Sequence, residues 1–177
     1  MKLIILDRDG VINFDSDNYI RTVDQWRAIP NSITAIADLS RAGYKIAVAT
    51  NQSGIGRGYY SLDTLTAMHE KMHLLVHSAG GVIDKVVFCP HLPDALCQCR
   101  KPLPGMLLDI MDNYSNLSDI YFVGDSLSDL KAANSANVAA ALVLTGKGQR
   151  TLDAGGIATD VPVYADLAAF AKHIISP

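Results

Sequence analysis

The residues that decide the fold are the first ten, MKLIILDRDG, in which an apolar run at positions 3–6 ends at Asp7 and Asp9. A short, continuous apolar run is typical of a strand covered on both faces, as in a parallel sheet. The chain contains four more runs of this kind. The predicted strands are residues 3–7, 45–50, 85–89, 120–125 and 140–144.

Helical patterns alternate with these strands. Apolar residues recur every three or four positions, and capping residues such as Ser61 or glycines such as Gly43 mark the ends. The predicted helices are residues 32–41, 62–79, 104–113, 127–134 and 166–175. Strands that alternate with helices predict an α/β protein with a Rossmann-like, doubly wound parallel sheet. The irregular segment 11–29 is long for a loop, which indicates a functional role.

Length and charge limit the class of protein. The 177 residues are predicted to form one domain, residues 1–177. The 15 basic and 18 acidic residues give a net charge of −3, which argues against a nucleic-acid or anionic-membrane partner. The first apolar run is too short for a signal peptide, and no run is long enough for a membrane span. We therefore expect a cytoplasmic protein, and a monomer, because nothing in the sequence demands an interface.

Polar side chains follow four of the predicted strands, and ligands bind parallel sheets at these carboxyl ends. The residues concerned are Asp7, Asp9, Thr50, Lys101, Asp125 and Asp129. Of two neighbouring aspartates, one can act as a nucleophile and the other as a general acid and base. Carboxylates suit Mg²⁺, and a lysine with a hydroxyl can bind a phosphate. A lone aspartate after a strand is often only a cap or turn residue, but the combination predicts a phosphate site.

Three cysteines and one histidine lie within eleven residues. They are Cys89, His91, Cys97 and Cys99. An odd number of cysteines argues against a closed disulfide framework, and Cys-x-Cys is not the Cys-x-x-Cys of redox enzymes. Three thiolates and one imidazole suit a closed, tetrahedral structural Zn²⁺ site. The expected role of the zinc-binding loop 89–99 is to hold the residues that follow it, Arg100 and Lys101.

The polar strand ends form four motifs. They are Asp7-x-Asp9-Gly10-Val11, Thr50-Asn51, Lys101 and Gly124-Asp125-x-x-x-Asp129. In order and spacing these motifs resemble those of the phosphatases of the haloacid dehalogenase superfamily. The resemblance implies that Asp7 forms an aspartyl-phosphate and that Asp9 protonates the leaving group and then activates water. It also implies that Thr50 and Lys101 bind the phosphoryl group. The implied Mg²⁺ ligands are Asp7, Asp125 and the Asp9 carbonyl, with Asp129 behind them.

Longer stretches at residues 7–13, 50–58 and 99–106 resemble the branch of this superfamily that acts on heptose bisphosphates. The resemblance implies a phosphatase without a large cap domain. It would remove the 7-phosphate of D-glycero-D-manno-heptose 1,7-bisphosphate in heptose nucleotide and lipopolysaccharide biosynthesis. The expected substrate contacts are Asp15, Tyr19, Thr50, Asn51, Gln52, Ser53, Arg57, Arg100 and Lys101. Among them, Arg100 is best suited to bidentate phosphate binding.

Two features depart from the heptose enzymes. The short spacing between His91 and Cys97 is similar to that of the histidinol-phosphate phosphatase branch, which leaves that activity open as an alternative. Ser126 stands where the heptose enzymes are expected to have lysine, which leaves the charge near Mg²⁺ open. A non-catalytic module that binds phosphosugars is a third hypothesis. A pure binder, however, has no need of both Asp7 and Asp9.

One further pattern, His69-Glu70-Lys71-Met72-His73, matches a zinc-protease motif. We favour an amphipathic helix, because positions 62, 65, 69, 72, 76 and 79 form an apolar stripe and no clear third ligand follows. His69 is then expected at the edge of that stripe.

Overall fold

Six parallel strands form one sheet in the computed structural model, which describes residues 1–176. The strands are β1 (Lys2–Leu6), β2 (Tyr44–Asn51), β3 (Lys85–Cys89), β4 (Asp119–Gly124), β5 (Ala139–Val143) and β6 (Val163–Tyr164). Their order in the sheet is β3-β2-β1-β4-β5-β6. This is the doubly wound arrangement that the alternation of strands and helices predicts.

Six helices lie between the strands in sequence within residues 1–176, and a seventh follows the last strand. They are α1 (Ser32–Arg41), α2 (Ser53–Gly56), α3 (Leu62–Ser78), α4 (Gly105–Met111), α5 (Leu127–Ser135), α6 (Gly148–Ala154) and α7 (Leu167–Ile175). None of the helices within residues 1–176 has the length and apolar character needed to cross a bilayer.

The central strand β1 separates two hydrophobic layers. Ile4 and Leu6 pack on one face with residues of α1, α3 and α7, whereas Leu3 and Ile5 pack on the other face with residues of α4 and α5. All four side chains are fully buried. A continuous apolar run is therefore required here, because both faces of the strand are covered.

The topology places Asp7 at the centre of the carboxyl edge of the sheet. Strand β1 pairs with β2 on one side and with β4 on the other, and Leu6 lies opposite both Val48 and Val123. The Asp7 N–H continues this pairing by donating to the Val123 carbonyl at 2.9 Å. The chain turns to opposite sides of the sheet from β1, which opens a crevice at this point.

The five predicted strands and five predicted helices are all present, with ends that differ by at most two residues. Asp7 and Asp125, predicted as the last residues of their strands, instead lie just beyond them. The sequence patterns did not predict β6, α2 or α6. Strand β6 has only two residues, and α2 and α6 are short helices that contain or begin with glycine, a weak helix former. Segment 11–29 contains no helix or sheet strand, as expected.

Candidate active site

A cavity of about 310 Å³ opens at the carboxyl edge of the sheet. The predicted site residues that line it are Asp7, Asp9, Asp15, Tyr19, Asn51, Gln52, Ser53, Arg100, Lys101, Asp125 and Asp129. Two others lie outside the lining. Thr50 is fully buried beneath it, and Arg57 is exposed at its outer side.

The Lys101 ammonium group lies at the base of this cavity and is almost completely buried. Its Nζ is 2.9 Å from Asp7 Oδ1 and 2.7 Å from Asp129 Oδ1, and it donates to the Ala49 carbonyl at 2.9 Å. Burial alone would lower the pKa of Lys101, but the charges of Asp129 and Asp7 outweigh it and raise the pKa. Lys101 is therefore a permanent cation that joins β1, β2 and α5.

Three carboxylates lie close together at this point, and Lys101 contacts two of them, Asp7 and Asp129. Asp7, Asp125 and Asp129 each place one oxygen within 4.8 Å of the others. Burial, and then the charge of Asp129, raise the pKa of Asp7 well above its usual range. The same two causes raise the pKa of Asp125 to about 7. When ionised, the three carboxylates carry more negative charge than the single charge of Lys101 offsets.

The donor set fits a divalent cation. No hydrogen bond from residues 1–176 reaches Asp7 Oδ2 or Asp125 Oδ1, so one oxygen of each carboxylate can bind a metal. The other Asp125 oxygen accepts the Lys147 N–H at 2.7 Å, which fixes the carboxylate. Mg²⁺ prefers such carboxylate oxygens, and its charge would balance the surplus.

Asp129 uses both of its oxygens within the protein. Oδ2 accepts the N–H groups of Asp125 and Ser126 and the Ser126 hydroxyl, at 3.2, 3.1 and 2.7 Å. Ser126 and Asp129 form a capping box at the start of α5. Because Oδ1 faces Lys101, both Asp129 oxygens contact groups of the protein.

Asp9 has a different environment from Asp7. Arg8 Nη2 donates to both of its carboxylate oxygens, at 2.9 and 3.1 Å. Asn13 Nδ2 donates to one oxygen at 2.9 Å and Gln52 Nε2 to the other at 2.8 Å. Burial alone would raise the pKa of Asp9, but the charge of Arg8 and these hydrogen bonds outweigh it and lower the pKa.

Residues at the end of β2 and just after it form a framework around the cavity. Gln52 Nε2 also donates to Thr50 Oγ1 at 2.9 Å, and the Tyr60 hydroxyl donates to Gln52 Oε1 at 2.5 Å. Asn51 forms two hydrogen bonds with the backbone of Lys101, at 3.2 and 3.1 Å. This framework therefore fixes the loop that carries Lys101 to the end of β2.

The outer wall comes from segment 11–29 and its neighbours. Asp15 Oδ2 lies 3.3 Å from Lys147 Nζ. The Tyr19 ring packs edge-on against Tyr59 at 5.1 Å, and the Arg57 guanidinium lies 5.8 Å from the Tyr19 ring centre. Arg57 thus contacts a wall residue rather than the cavity.

Sequence reasoning missed Lys147, which lines the cavity from the loop after β5. The signal was available, because the strand-end rule that identified the other residues also applies to the fifth strand. The predicted site residues come from the ends of the first four strands only. Tyr60 and Asn13, which hold Gln52 and Asp9, carry no comparable signal.

The cysteine cluster has the geometry of a metal site. Cys89 Sγ lies 3.4 Å from His91 Nδ1 and 3.9 Å from Cys97 Sγ, and His91 Nδ1 lies 3.2 Å from Cys99 Sγ. A tetrahedral Zn²⁺ site places its ligand atoms about 3.5 to 3.8 Å apart. The four side chains therefore fit Zn²⁺.

Comparison with known proteins identifies relatives of this chain. A family model described as HAD-hydrolase-like matches residues 98–170. The chain is 54% identical to the D-glycero-β-D-manno-heptose-1,7-bisphosphate 7-phosphatase of Pseudomonas putida, covering 99% of this chain and 100% of that protein. It is also 54% identical to the enzyme of that name from Pseudomonas aeruginosa, covering 98% and 97% of the two chains.

A solved structure extends the similarity to the fold. The D,D-heptose 1,7-bisphosphate phosphatase of Bordetella bronchiseptica, complexed with magnesium and phosphate, has a TM-score of 0.96 and 50% identity, covering 99% of this chain and 98% of that one. The chain therefore belongs to the family of D-glycero-β-D-manno-heptose-1,7-bisphosphate 7-phosphatases, phosphoric monoester hydrolases of the haloacid dehalogenase superfamily.

Proposed function

We propose that this protein removes the 7-phosphate of D-glycero-β-D-manno-heptose 1,7-bisphosphate through an aspartyl-phosphate on Asp7. The observation that carries the proposal is the environment of the two aspartates at the end of β1. Asp7 faces a cation site and Lys101, whereas Asp9, two residues away, is held by hydrogen-bond donors. The relatives named above are named for this substrate.

In the first step, an Asp7 carboxylate oxygen bonds to the phosphorus of the 7-phosphate. The bond between phosphorus and the sugar oxygen breaks, and that oxygen takes a proton from Asp9. The donors around Asp9 disfavour the protonated form. The negative charge of an entering phosphate beside Asp9 acts in the opposite direction and favours protonation.

In the second step, Asp9 is an anion, the form that Arg8, Asn13 and Gln52 favour. It accepts a proton from water as the water oxygen bonds to phosphorus. The phosphorus–Asp7 bond breaks, which releases inorganic phosphate and regenerates both aspartates. Lys101 holds Asp7 in position and offsets charge in both steps.

Mg²⁺ would be held by the carboxylates of Asp7 and Asp125 and by the Asp9 carbonyl. When bound, it supplies charge stabilisation for the transferred phosphoryl group. The free oxygens of Asp7 and Asp125 support this assignment, as does the magnesium in the Bordetella bronchiseptica complex.

We also propose that Cys89, His91, Cys97 and Cys99 bind one structural Zn²⁺. The site offers four protein ligands and leaves no position open for substrate. Its role would be to shape the loop in which Arg100 Nη1 donates to the His91 carbonyl at 3.3 Å. Arg100 would then face the substrate beside Lys101.

The remaining substrate contacts would come from the wall of the cavity. Asp15 and Tyr19 face it from segment 11–29, and Lys147 faces it from the loop after β5. Lys147 lines the same cavity as Ser126, the position at which the sequence comparison leads one to expect a lysine. All of these groups belong to one chain, so we propose that a monomer with one catalytic domain and no large cap is active.

Phosphate release tests the substrate assignment. The enzyme is assayed with Mg²⁺ on heptose 1,7-bisphosphate and on histidinol phosphate, and phosphorus NMR identifies the phosphate that remains on the sugar. We expect a higher kcat/KM for the bisphosphate and retention of the 1-phosphate. Equal or reversed preference would support the histidinol-phosphate alternative instead. A chelator-treated sample is the blank.

A further inference from the structure

Arg8 stands between the two aspartates of the first motif in sequence, and its side chain is fully buried and does not line the cavity. Its Nη2 donates to both oxygens of Asp9, at 2.9 and 3.1 Å. A guanidinium group is rigid and planar, so the orientation of this plane sets where the Asp9 carboxylate lies. A residue that fixes the other end of the guanidinium group therefore also influences the position of the Asp9 carboxylate.

The other end of the guanidinium group meets helix α3. Arg8 Nη1 lies 3.3 Å from His69 Nε2 and 3.9 Å from the Met68 sulfur, its only hydrogen-bonding contacts within residues 1–176. Arginine has no acceptor atom, so His69 Nε2 must present a lone pair and the ring must carry its proton on Nδ1. Burial, and then the charge of Arg8, lower the pKa of His69 to about 3, which keeps the ring neutral.

We infer that His69 is a positioning residue for the reaction, holding the Asp9 carboxylate in place through Arg8. The inference rests on the proposed role of Asp9 as the group that protonates the leaving oxygen. His69 is the one histidine of the His-Glu-x-x-His pattern with this contact within the described chain, since His73 is exposed on the same helix. Within the zinc-protease pattern, His69 is thus a buried hydrogen-bond acceptor for Arg8.

The consequence is specific to proton transfer. A general acid must come within hydrogen-bond distance of the oxygen that it protonates. Without an acceptor at position 69, Arg8 Nη1 keeps only the weak thioether acceptor of Met68, and the guanidinium plane can rotate. Asp9 then depends on Asn13 and Gln52 alone for firm positioning, so its alignment loosens. Asp7, which is held by Lys101 and the Arg8 N–H, keeps its own alignment.

Two substrates separate this effect from general damage. The leaving oxygen of the sugar is a strongly basic alkoxide and needs a proton, whereas the p-nitrophenolate that leaves from p-nitrophenyl phosphate is a weak base and needs little help. The value of kcat/KM reports the step up to phosphoryl transfer. For His69→Leu, we expect kcat/KM to fall about tenfold or more on the sugar phosphate, through kcat rather than KM, and to change little on p-nitrophenyl phosphate.

Matched variants complete the test. His69→Gln, which keeps an acceptor oxygen, should recover most of the loss, and His73→Leu on the exposed face should resemble the parent enzyme. If His69→Leu does not fold, as judged by thermal unfolding, His69→Met takes its place. Equal losses on both substrates, or no loss on either, would overturn the inference.

A parallel Asp9→Asn variant distinguishes the inference from the function on which it rests. If Asp9→Asn is selectively impaired on the sugar phosphate and the His69 variants are not, then His69 has no positioning role. If Asp9→Asn shows no such selectivity, then the proposed role of Asp9 is wrong and the inference fails with it.

Discussion

Asp7 and Asp9 are separated by one residue, yet their surroundings have opposite effects on their pKa values. Asp7 lies among other carboxylates, and burial with the charge of Asp129 raises its pKa. Asp9 lies among donors, and Arg8 is chief among the groups that lower its pKa against the effect of burial. Two identical side chains can therefore take different roles, because their neighbours and not their chemistry differ.

Replacement of Asp7 tests the nucleophile. Asp7→Asn should lower kcat by roughly a thousandfold or more, because the amide cannot form the phosphoryl ester. The fold should persist, because the amide relieves the repulsion among buried carboxylates in the metal-free protein. Phosphate release and thermal unfolding measure the two effects, with the exposed Asp112→Asn as control. Substantial residual turnover would contradict the mechanism.

Replacement of Lys147 tests its proposed contact with the substrate. Lys147→Met should raise KM for the bisphosphate, with a loss in kcat/KM of about tenfold, the effect of one charged hydrogen bond. The kcat/KM on p-nitrophenyl phosphate should stay close to that of the parent, because this ester lacks the sugar and the second phosphate. Lys147→Arg should retain most of the affinity. An unchanged KM in Lys147→Met would remove Lys147 from the binding site.

At the scale of elements, the residues at the strand ends were predictable from the sequence, but the side-chain contacts that hold those residues in place were not. Leu3–Leu6 and Lys85–Cys89 stand out as buried strands because their apolar runs are continuous. Helix α2 carries no such signal, since four residues with two glycines have no period. The helical period correctly predicts that His69 lies on the apolar stripe of α3. This period shows which face of the helix is buried, but not which residue that face contacts.

The junction between the zinc-binding loop and α4 is tight, and this allows a test that leaves the ligands intact. A Cβ at Gly105 would lie 2.2 Å from the backbone oxygen of Gln98, so Gly105→Ala must displace the loop. We expect less bound Zn²⁺ per chain and lower kcat/KM together, because Cys97, Cys99 and Lys101 shift with that loop.

Metal analysis and phosphate release measure the two effects in Gly105→Ala, with Leu108→Ala on the exposed face of α4 as control. Full activity with full zinc content would show that the loop tolerates the shift. Full activity with lost zinc would separate the zinc site from Lys101, and would argue against the proposed role of Zn²⁺.

At the scale of the whole molecule, the buried carboxylates make stability depend on pH. Asp125 has its pKa raised to about 7 in the folded protein. As pH rises from about 4 to 7, the unfolded chain loses this proton and the folded chain retains it, so the free energy of unfolding falls. His69 has the opposite effect. Its pKa is about 3 in the folded protein, so between about pH 3 and 6.5 only the unfolded chain binds this proton. This contribution raises the free energy of unfolding as pH rises.

A comparison of Asp125→Asn with the parent protein isolates the contribution of Asp125. Without Mg²⁺, the stability gained by the variant should grow between pH 4 and 7, reach about 2 to 4 kcal/mol, and level off above pH 7. Urea unfolding at several pH values measures this difference. Added Mg²⁺ should stabilise the parent and not the variant, and a gain that does not depend on pH would contradict the raised pKa.

The order β3-β2-β1-β4-β5-β6 separates two tasks in space. The groups proposed to react lie at the ends of the central strands, where neighbouring strands fix the backbone on both sides. The groups proposed to recognise the sugar lie on the surrounding loops, which can change length and composition without disturbing the sheet. A scaffold built in this way can acquire new substrates by mutation of its loops while its chemistry is inherited unchanged.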